Sequence, residues 1–246
     1  MEAFAGYSEN VKPLTDSILR NAVVSVSNLE AETAENMEIG LRYQGQGLAG
    51  SVVWFDNTFN NRLEFFGPQV AGNIPNYLIG TEGRYDNVGG IETNGLELAL
   101  AWSMNDNWSL YSSYTYTNAN YAGTGLGAAA DAVIGVTPGN TVVGTPQTML
   151  VMSLDWTRNN YSAGISAKYV DDRFIDRANS SVADGYVTTD LYLNINGEEI
   201  GDFLKGFQIG LVVNNLTDKS YLGGISGFGS WIGSPRTAVL SMTADF

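Results

Sequence analysis

Apolar and polar residues alternate with a period of two along much of the chain, most clearly in its last segment. There Leu240 and Met242 occupy alternate positions, and Ser241 and Thr243 fill the positions between them. A period of two is typical of a β-strand with one apolar and one polar face. The same alternation recurs upstream in residues 37–43, 96–102, 108–116, 150–156, 161–169, 187–195 and 207–213.

Two further segments show the pattern less clearly. Residues 51–63 are rich in strand-forming side chains, but Val52, Val53, Trp54 and Phe55 place apolar groups on both parities. Residues 2–8 are a weaker strand candidate. The pattern as a whole predicts about ten strands, each close to the roughly 9–11 residues that a tilted transmembrane strand needs.

The predicted connections alternate between short and long. Residues 44–47, 103–107 and 157–160 form short turns, and residues 196–206 form a somewhat longer one. The long connections are residues 9–36, 57–89, 118–145, 171–185 and 217–234. Short turns at one rim and long loops at the other are typical of an outer-membrane barrel. A soluble β-sandwich would also contain alternating strands, but it gives no reason for this order of turn lengths.

Aromatic residues favour the barrel as well, because they collect at the short-turn ends of the strands and on the apolar parity. Such rings form a girdle at a membrane interface. The residues predicted to form it are Tyr43, Trp102, Trp108, Trp156, Tyr161, Phe207 and Phe246.

The alternation also assigns the side chains to two faces. Ser, Thr, Asn and Gly dominate the polar parity, which suits a watery lumen better than an open protein surface. We predict that Glu97, Asn194 and Ser241 face inward. The residues predicted to face outward, as one apolar band, are Leu98, Trp156, Ile165, Leu211 and Met242.

Composition narrows the functional classes. Charged residues make up 15% of the chain, against about 25% in a soluble domain, yet no run approaches the roughly 18 apolar residues of a membrane helix. A net charge of −14 argues against nucleic acid as a partner. The chain has no Cys and no His, so the commonest general base and the usual transition-metal ligands are missing. We therefore expect no enzyme activity, no cofactor and no metal site.

Three features that could carry chemistry have simpler interpretations. The glycine run from Gly123 to Gly127 lies in a loop between antiparallel strands, whereas a dinucleotide site needs a parallel strand followed by a helix. The carboxylate pairs Asp171–Asp172 and Glu198–Glu199 fall in predicted loops, where they are solvated charge. Arg42 and Lys168 lie on the lumen parity, where they balance Glu38 and Glu97.

Five motifs, in one order along nearly the whole chain, resemble those of a TonB-dependent receptor, a 22-stranded outer-membrane transporter with an N-terminal plug. They are residues 32–42, in which Ala31 stands where the family has Pro, residues 87–97, residues 145–147, residues 214–221 and residues 233–236 before a C-terminal aromatic. The motif positions carried over are Glu32, Glu38, Gly40, Gly95, Glu97, Pro146, Asn215, Leu216, Asp218, Tyr221, Pro235, Arg236 and Phe246.

The resemblance implies an all-β, antiparallel, up-and-down transmembrane barrel segment of about ten strands in the cell outer membrane. Residues 1–246 would be the C-terminal part of the barrel, with the plug and the N-terminal strands absent; the first residues carry no export signal. The implied function is energised uptake of a scarce nutrient, above all a ferric siderophore. The implied partners are outer-membrane lipid, a small extracellular ligand and an inner-membrane energy-coupling complex reached through the missing part. The alternative is a passive porin-like barrel or a small complete barrel.

Overall fold

The computed structural model describes residues 1–15, 29–66, 70–71, 74–75, 84–87, 89–226 and 229–244. Within them, ten strands form one antiparallel sheet in which each strand pairs with its neighbours in sequence. The strands are β1 Glu2–Lys12, β2 Glu32–Gly45, β3 Leu48–Asn60, β4 Gly90–Ser103, β5 Trp108–Gly123, β6 Thr148–Arg158, β7 Tyr161–Val170, β8 Tyr186–Asn196, β9 Phe207–Asn214 and β10 Thr237–Ala244. Among the described residues β1 and β10 do not pair with each other, so the sheet is an open barrel segment.

The two faces of the sheet follow from the register, because directly paired residues of antiparallel strands point to the same side. Leu98 pairs with Val52 and Tyr114, and Glu97 pairs with Val53 and Thr115. Continuing from strand to strand confirms the predicted faces. We call the side of Leu98, Trp156, Ile165, Leu211 and Met242 the apolar face, and the side of Glu97, Asn194 and Ser241 the polar face.

The two ambiguous segments are regular strands in the structure. Pairing with β2 and β4 puts Val52 and Trp54 on the apolar face, and Val53 and Phe55 on the polar face. The first strand is longer than predicted, because its pairing with β2 continues to Lys12, opposite Glu32.

All short connections lie at one end of the sheet, which we call the short-turn rim. They are residues 46–47, 104–107 and 159–160, and residues 197–206, which contain the 3₁₀ turns Gly197–Glu199 and Asp202–Leu204. The Trp108 and Trp156 rings, on paired strands, lie 6.4 Å apart there. Phe246 lies outside the described residues. The other predicted girdle residues are on the apolar face near this rim: Tyr43, Trp102, Trp108, Trp156, Tyr161 and Phe207.

The opposite end, the long-loop rim, differs from the prediction in extent. Strands β1, β2, β4 and β5 run several residues beyond the predicted strand ends, because the hydrogen-bond ladder continues where the apolar alternation has stopped, whereas β3 ends at Asn60, inside the predicted segment 51–63. The connections also contain short ribbons and one helix that were not predicted. The ribbons are Leu63–Phe66 with Arg84–Asn87, Val70–Ala71 with Ile74–Pro75, Arg173–Phe174 with Val182–Ala183, and Leu222–Ser226 with Gly229–Ile232; the helix, α1, is Ala128–Ile134.

Buried apolar side chains lie at the long-loop rim rather than beneath the sheet. Ile91, Tyr121 and Val136 form one small cluster, and Leu29 and Leu63 form another. The apolar face is instead open: Ile39 is 56% exposed and Leu240 is 75% exposed. An apolar surface of this extent marks an interaction surface. Within the described ranges, no helix has the length and apolar character needed to cross a membrane.

Candidate functional site

Two glycines of the polar face make room for aromatic rings that lie against the wall. A Cβ atom on Gly40 would come within 2.6 Å of the Phe4 ring, and one on Gly95 would come equally close to the Phe55 ring. The Arg42 guanidinium lies 5.1 Å above the Phe4 ring, at cation–π distance. Two of the predicted motif positions, Gly40 and Gly95, therefore have a steric reason to be glycine.

Two other motif positions, Glu38 and Glu97, line a hollow of about 440 Å³ on the polar face. Asn36, Asn57 and Phe55 also line this hollow. Across the part of the chain that the structure describes, neither carboxylate has a hydrogen-bond or ion-pair partner. Arg42 and Lys168, which were predicted to balance the charges of Glu38 and Glu97, therefore form no direct ion pair with these two carboxylates.

Nearer the short-turn rim, a polar bridge crosses three strands. The Tyr192 hydroxyl donates to Asp155 Oδ1 at 2.7 Å, and the Ser153 hydroxyl donates to Asp155 Oδ2 at 2.9 Å. Gly164 lies between the Asp155 and Tyr192 positions in the register. A Cβ atom there would collide with the tyrosine ring and lie 2.5 Å from Asp155 Oδ1. The absence of a side chain at Gly164 therefore permits the bridge.

At the long-loop rim, Glu32 connects the first loop to the second. Its buried carboxylate accepts from Arg62 Nη1 at 2.6 Å and from the Leu63 amide at 3.0 Å, and Lys12 Nζ lies at 3.8 Å. The Asn87 side chain bridges the same two loops, since it donates to the carbonyl oxygens of Glu30 and Asn61. The motif residue Glu32 thus organises the start of β2.

Asn215 organises the loop between β9 and β10. The residue is buried, with a relative exposure of 3%. Its Nδ2 atom donates to the carbonyl oxygens of Lys219 and Ser234, and its Oδ1 atom accepts from the Lys219 amide at 2.9 Å. Its own amide donates to Asp190 Oδ1 at 2.7 Å. The positive φ of 49° is one that Asn tolerates better than most residues.

The neighbouring motif residues complete that loop. Asp218 Oδ1 accepts from the Arg236 amide at 3.0 Å, beside an exposed ion pair of 3.9 Å between the two side chains. The Leu216 amide donates to the Thr189 carbonyl at 2.6 Å. The Tyr221 ring stacks on Tyr186 with 4.1 Å between centroids.

The two motif prolines stand just before strands. Pro146 precedes β6 and Pro235 precedes β10, positions that suit a residue without an amide donor. Phe246 lies outside the described residues. The structure therefore brings the motif positions into two groups, one on the polar face and one at the long-loop rim, and their functional roles stay predictions.

The sequence analysis missed residues of the loop between β7 and β8 that join it to its neighbours. Asn179 forms a two-point contact with Thr141, accepting from its amide at 2.8 Å and donating to its carbonyl at 3.0 Å. The Asn140 side chain donates to the Arg177 carbonyl at 2.8 Å. The sequence signal that could have identified this loop is its local turn chemistry. Asp176 accepts from the Ser180 and Ser181 amides, and these hydrogen bonds lower the pKa of the Asp176 carboxyl.

Arg173 adds a contact to the loop that follows. Its guanidinium is buried, donates to the Leu222 carbonyl and lies 5.5 Å from the centre of the Tyr186 ring. Three long-loop connections, residues 124–147, 171–185 and 215–236, are therefore joined by hydrogen bonds and ring contacts. We call these three the joined loops.

The glycine run and the carboxylate pairs serve local structure. Asp131 of helix α1 accepts from the Thr124 amide and hydroxyl, each at 2.7 Å, and these bonds lower the pKa of the Asp131 carboxyl. Asp172 accepts from the Gly185 amide at 2.8 Å, and Glu199 from the Asn160 side chain at the same distance. In the described ranges, no group of three or more His, Cys, Asp or Glu residues is arranged to hold a metal ion.

Comparison with curated proteins finds siderophore receptors. The chain is 26% identical over 224 residues to a ferrioxamine receptor of Yersinia enterocolitica, covering 89% of this chain and 28% of that protein. It is 26% identical over 179 residues to a ferrichrome outer-membrane transporter and phage receptor of Escherichia coli K12, covering 70% and 22%. The chain thus spans about a quarter of the length of these relatives.

Comparison with solved structures finds the same fold. The siderophore receptor PiuA of Acinetobacter baumannii matches with a TM-score of 0.73 at 21% identity, over 98% of this chain and 33% of that one. The family model described as TonB dependent receptor-like, beta-barrel matches residues 1–216. The chain therefore belongs to the TonB-dependent receptor β-barrel family of outer-membrane receptors and transporters, which are not enzymes.

Proposed function

We propose that residues 1–246 are the C-terminal part of the barrel of an outer-membrane receptor that imports a ferric siderophore. The observation that carries the proposal is that relatives matched over 70–89% of this chain are ferrioxamine and ferrichrome receptors. Since the chain spans about a quarter of their length, the remaining strands and a plug domain would come from an N-terminal part. Energy for uptake would enter through that part from an inner-membrane complex.

In this arrangement the apolar face contacts outer-membrane lipid and the polar face lines the lumen. Exposed apolar side chains such as Ile39, Ile165 and Met242 are then covered by lipid tails instead of facing water. The long-loop rim faces outside the cell, as in outer-membrane barrels generally. The joined loops give this rim a preformed surface on which a siderophore binds without first ordering them.

The hollow that contains Glu38 and Glu97 is the contact site for the plug. Both glutamates are exposed in this part of the barrel, and the plug would cover them. A carboxylate that leaves water in this way loses several kcal/mol unless a cation compensates for it. Neither glutamate has such a partner within the described residues. We therefore assign lysine or arginine side chains of the plug to this hollow.

Uptake of radioactive iron tests the proposal in cells that lack the gene and are complemented with the complete receptor. Ferrioxamine and ferrichrome are the first substrates to try. Accumulation that requires the receptor and stops when the proton gradient is collapsed supports energised import. Accumulation that continues without the gradient would instead support a passive pore.

The same assay tests whether residues 1–246 are sufficient. Expressed alone behind a signal peptide, they should give no energised uptake, because the gate that a coupling complex opens would be the plug of the proposed N-terminal part. Accumulation that is abolished by collapse of the gradient would refute their assignment as a barrel part.

The plug contact is tested by neutralising the carboxylates in the complete receptor. Glu38→Gln with Glu97→Gln should loosen the plug and admit large antibiotics that the intact receptor excludes. Glu92→Gln is the matched control, since Glu92 is on the opposite parity from Glu97 on the same strand. Equal antibiotic sensitivity in the double variant and the control would contradict the plug contact.

A further inference from the structure

The connection between β8 and β9 is the longest at the short-turn rim, and it exposes two large apolar side chains. Ile200 is 52% exposed and Phe203 is 80% exposed. The other short connections at this rim have two to four residues. Two large apolar side chains exposed together in one turn form a candidate contact surface, and the surroundings of the turn indicate what contacts it.

This turn has a regular backbone conformation. It consists of two 3₁₀ turns, Gly197–Glu199 and Asp202–Leu204. Gly197 is buried, and a Cβ atom on it would collide with the Leu204 carbonyl. Ile200 lies between the two 3₁₀ turns and Phe203 lies within the second one. The close approach of the two turns therefore sets the positions of both side chains.

The turn is attached to the aromatic girdle. Glu199 accepts from the Tyr161 hydroxyl at 3.3 Å and from Asn160 Nδ2 at 2.8 Å. Tyr161 is on the apolar face, opposite Ile195. Phe207, the next girdle residue, begins β9 directly after the turn. The turn that carries the two exposed apolar side chains is therefore hydrogen-bonded to the girdle at Tyr161 and leads directly into it at Phe207.

We propose that residues 197–206 anchor the barrel in the headgroup region of the phospholipid bilayer. Ile200 and Phe203 insert beside the girdle, as apolar side chains of interfacial segments do. Glu198, Glu199 and Asp202 stay at headgroup depth, where phosphatidylethanolamine supplies ammonium groups. The inference goes beyond siderophore uptake and rests only on the proposed contact of the apolar face with lipid.

Depth-dependent fluorescence quenching tests the anchor in the complete receptor, with any cysteine outside this chain replaced by serine; the chain itself contains none. An environment-sensitive fluorophore is attached to Ile200→Cys, and the receptor is placed in nanodiscs of phosphatidylethanolamine and phosphatidylglycerol. Asp106→Cys, in the turn between β4 and β5 at the same rim, is the matched control. Quenchers are a spin label at the headgroup, a spin label at mid-chain and iodide in water.

The anchor predicts stronger quenching at position 200 by the headgroup label than by iodide, and the reverse at position 106. Adding Phe203→Ser should reduce lipid quenching at position 200 and leave position 106 unchanged. Quenching at position 200 that matches position 106 would overturn the proposal, because the turn would then be in water. Protection from all three quenchers would overturn it too, because a protein surface would cover the turn. Siderophore uptake is measured separately, so its failure is distinguishable from failure of the anchor.

Discussion

A charge introduced at Ile165 tests the assignment of the two faces most directly. Ile165 lies in the middle of β7, on the apolar face, and is 44% exposed. It is four residues from Tyr161 of the girdle, which places it about 9 Å into the membrane for a strand rising ~3.3 Å per residue at ~45° tilt. An apolar band about 25 Å tall has its midplane at about 12 Å. Ile165→Arg therefore puts a cation close to the least favourable depth.

The expected cost is about 2–4 kcal/mol near the midplane, falling to about 0–1 kcal/mol toward the interface. Leu193 pairs with Ala163, one step nearer the girdle, so Leu193→Arg should cost less than Ile165→Arg. Ser166→Arg is the adjacent control. Ser166 is on the polar face and pairs with Asp190, so a cation there reaches lumen water and a carboxylate.

The assay is equilibrium unfolding in urea of the complete receptor refolded into lipid bilayers. The order of destabilisation should be Ile165→Arg, then Leu193→Arg, then Ser166→Arg with little change. Equal losses for Ile165→Arg and Ser166→Arg would refute the assignment of the faces. A larger loss for Leu193→Arg than for Ile165→Arg would refute the placement of the girdle.

Three further substitutions test local features. Gly164→Val should displace the Tyr192 ring and destabilise the barrel by about 1–3 kcal/mol, whereas Gly164→Ser should destabilise it less. Unfolding in urea measures both variants, and an unchanged stability of Gly164→Val would contradict the polar bridge. Asn215→Ala should destabilise the loop between β9 and β10 by about 2–4 kcal/mol, because hydrogen bonds are lost and alanine disfavours the positive φ, and amide exchange in the loop should become faster. Asn215→Gly removes the same hydrogen bonds but tolerates the φ. Unchanged exchange in both variants would contradict the role of the side chain. The lowered pKa of Asp131 means that its contribution to loop stability is full above its ordinary value of 3.8 and is lost as pH falls through the lowered one. Protection of the Thr124 amide, corrected for the intrinsic exchange rate at each pH, should fall over that acidic range, and Asp131→Asn should remove the dependence.

The faces of the strands could be predicted from sequence because lipid and lumen water impose opposite demands on alternate residues. Ser241 and Met242 illustrate this, since each lies on the face that its polarity indicates. The region from Val52 to Phe55 could not be assigned this way. Phe55 is apolar but lies on the polar face, where its ring covers Gly95. That contact depends on the pairing of β3 with β4, which alternation within one strand does not reveal.

The strand ends and loop contacts could not be predicted for a related physical reason. Beyond the membrane both faces of a strand meet water, so Lys12 and Glu32 extend the β1–β2 ladder without any apolar alternation. The contact of Asn179 with Thr141 joins residues 38 positions apart, and neither residue type identifies its partner. Of the motif positions, Gly40 and Gly95 have steric reasons that appear only once the rings of neighbouring strands are placed.

The pairing of each strand with its sequence neighbour has a consequence for how the chain folds. The hairpins closed at the short-turn rim form from residues close in sequence, and contacts of short sequence separation lower the entropy lost before pairing begins. The turns at Gly47 and Asn159, each with positive φ, leave only two residues between their strands and are therefore the natural starting points. A substitution in either turn should slow folding into the membrane, whereas one in the long connections should chiefly speed unfolding, because those connections pair later.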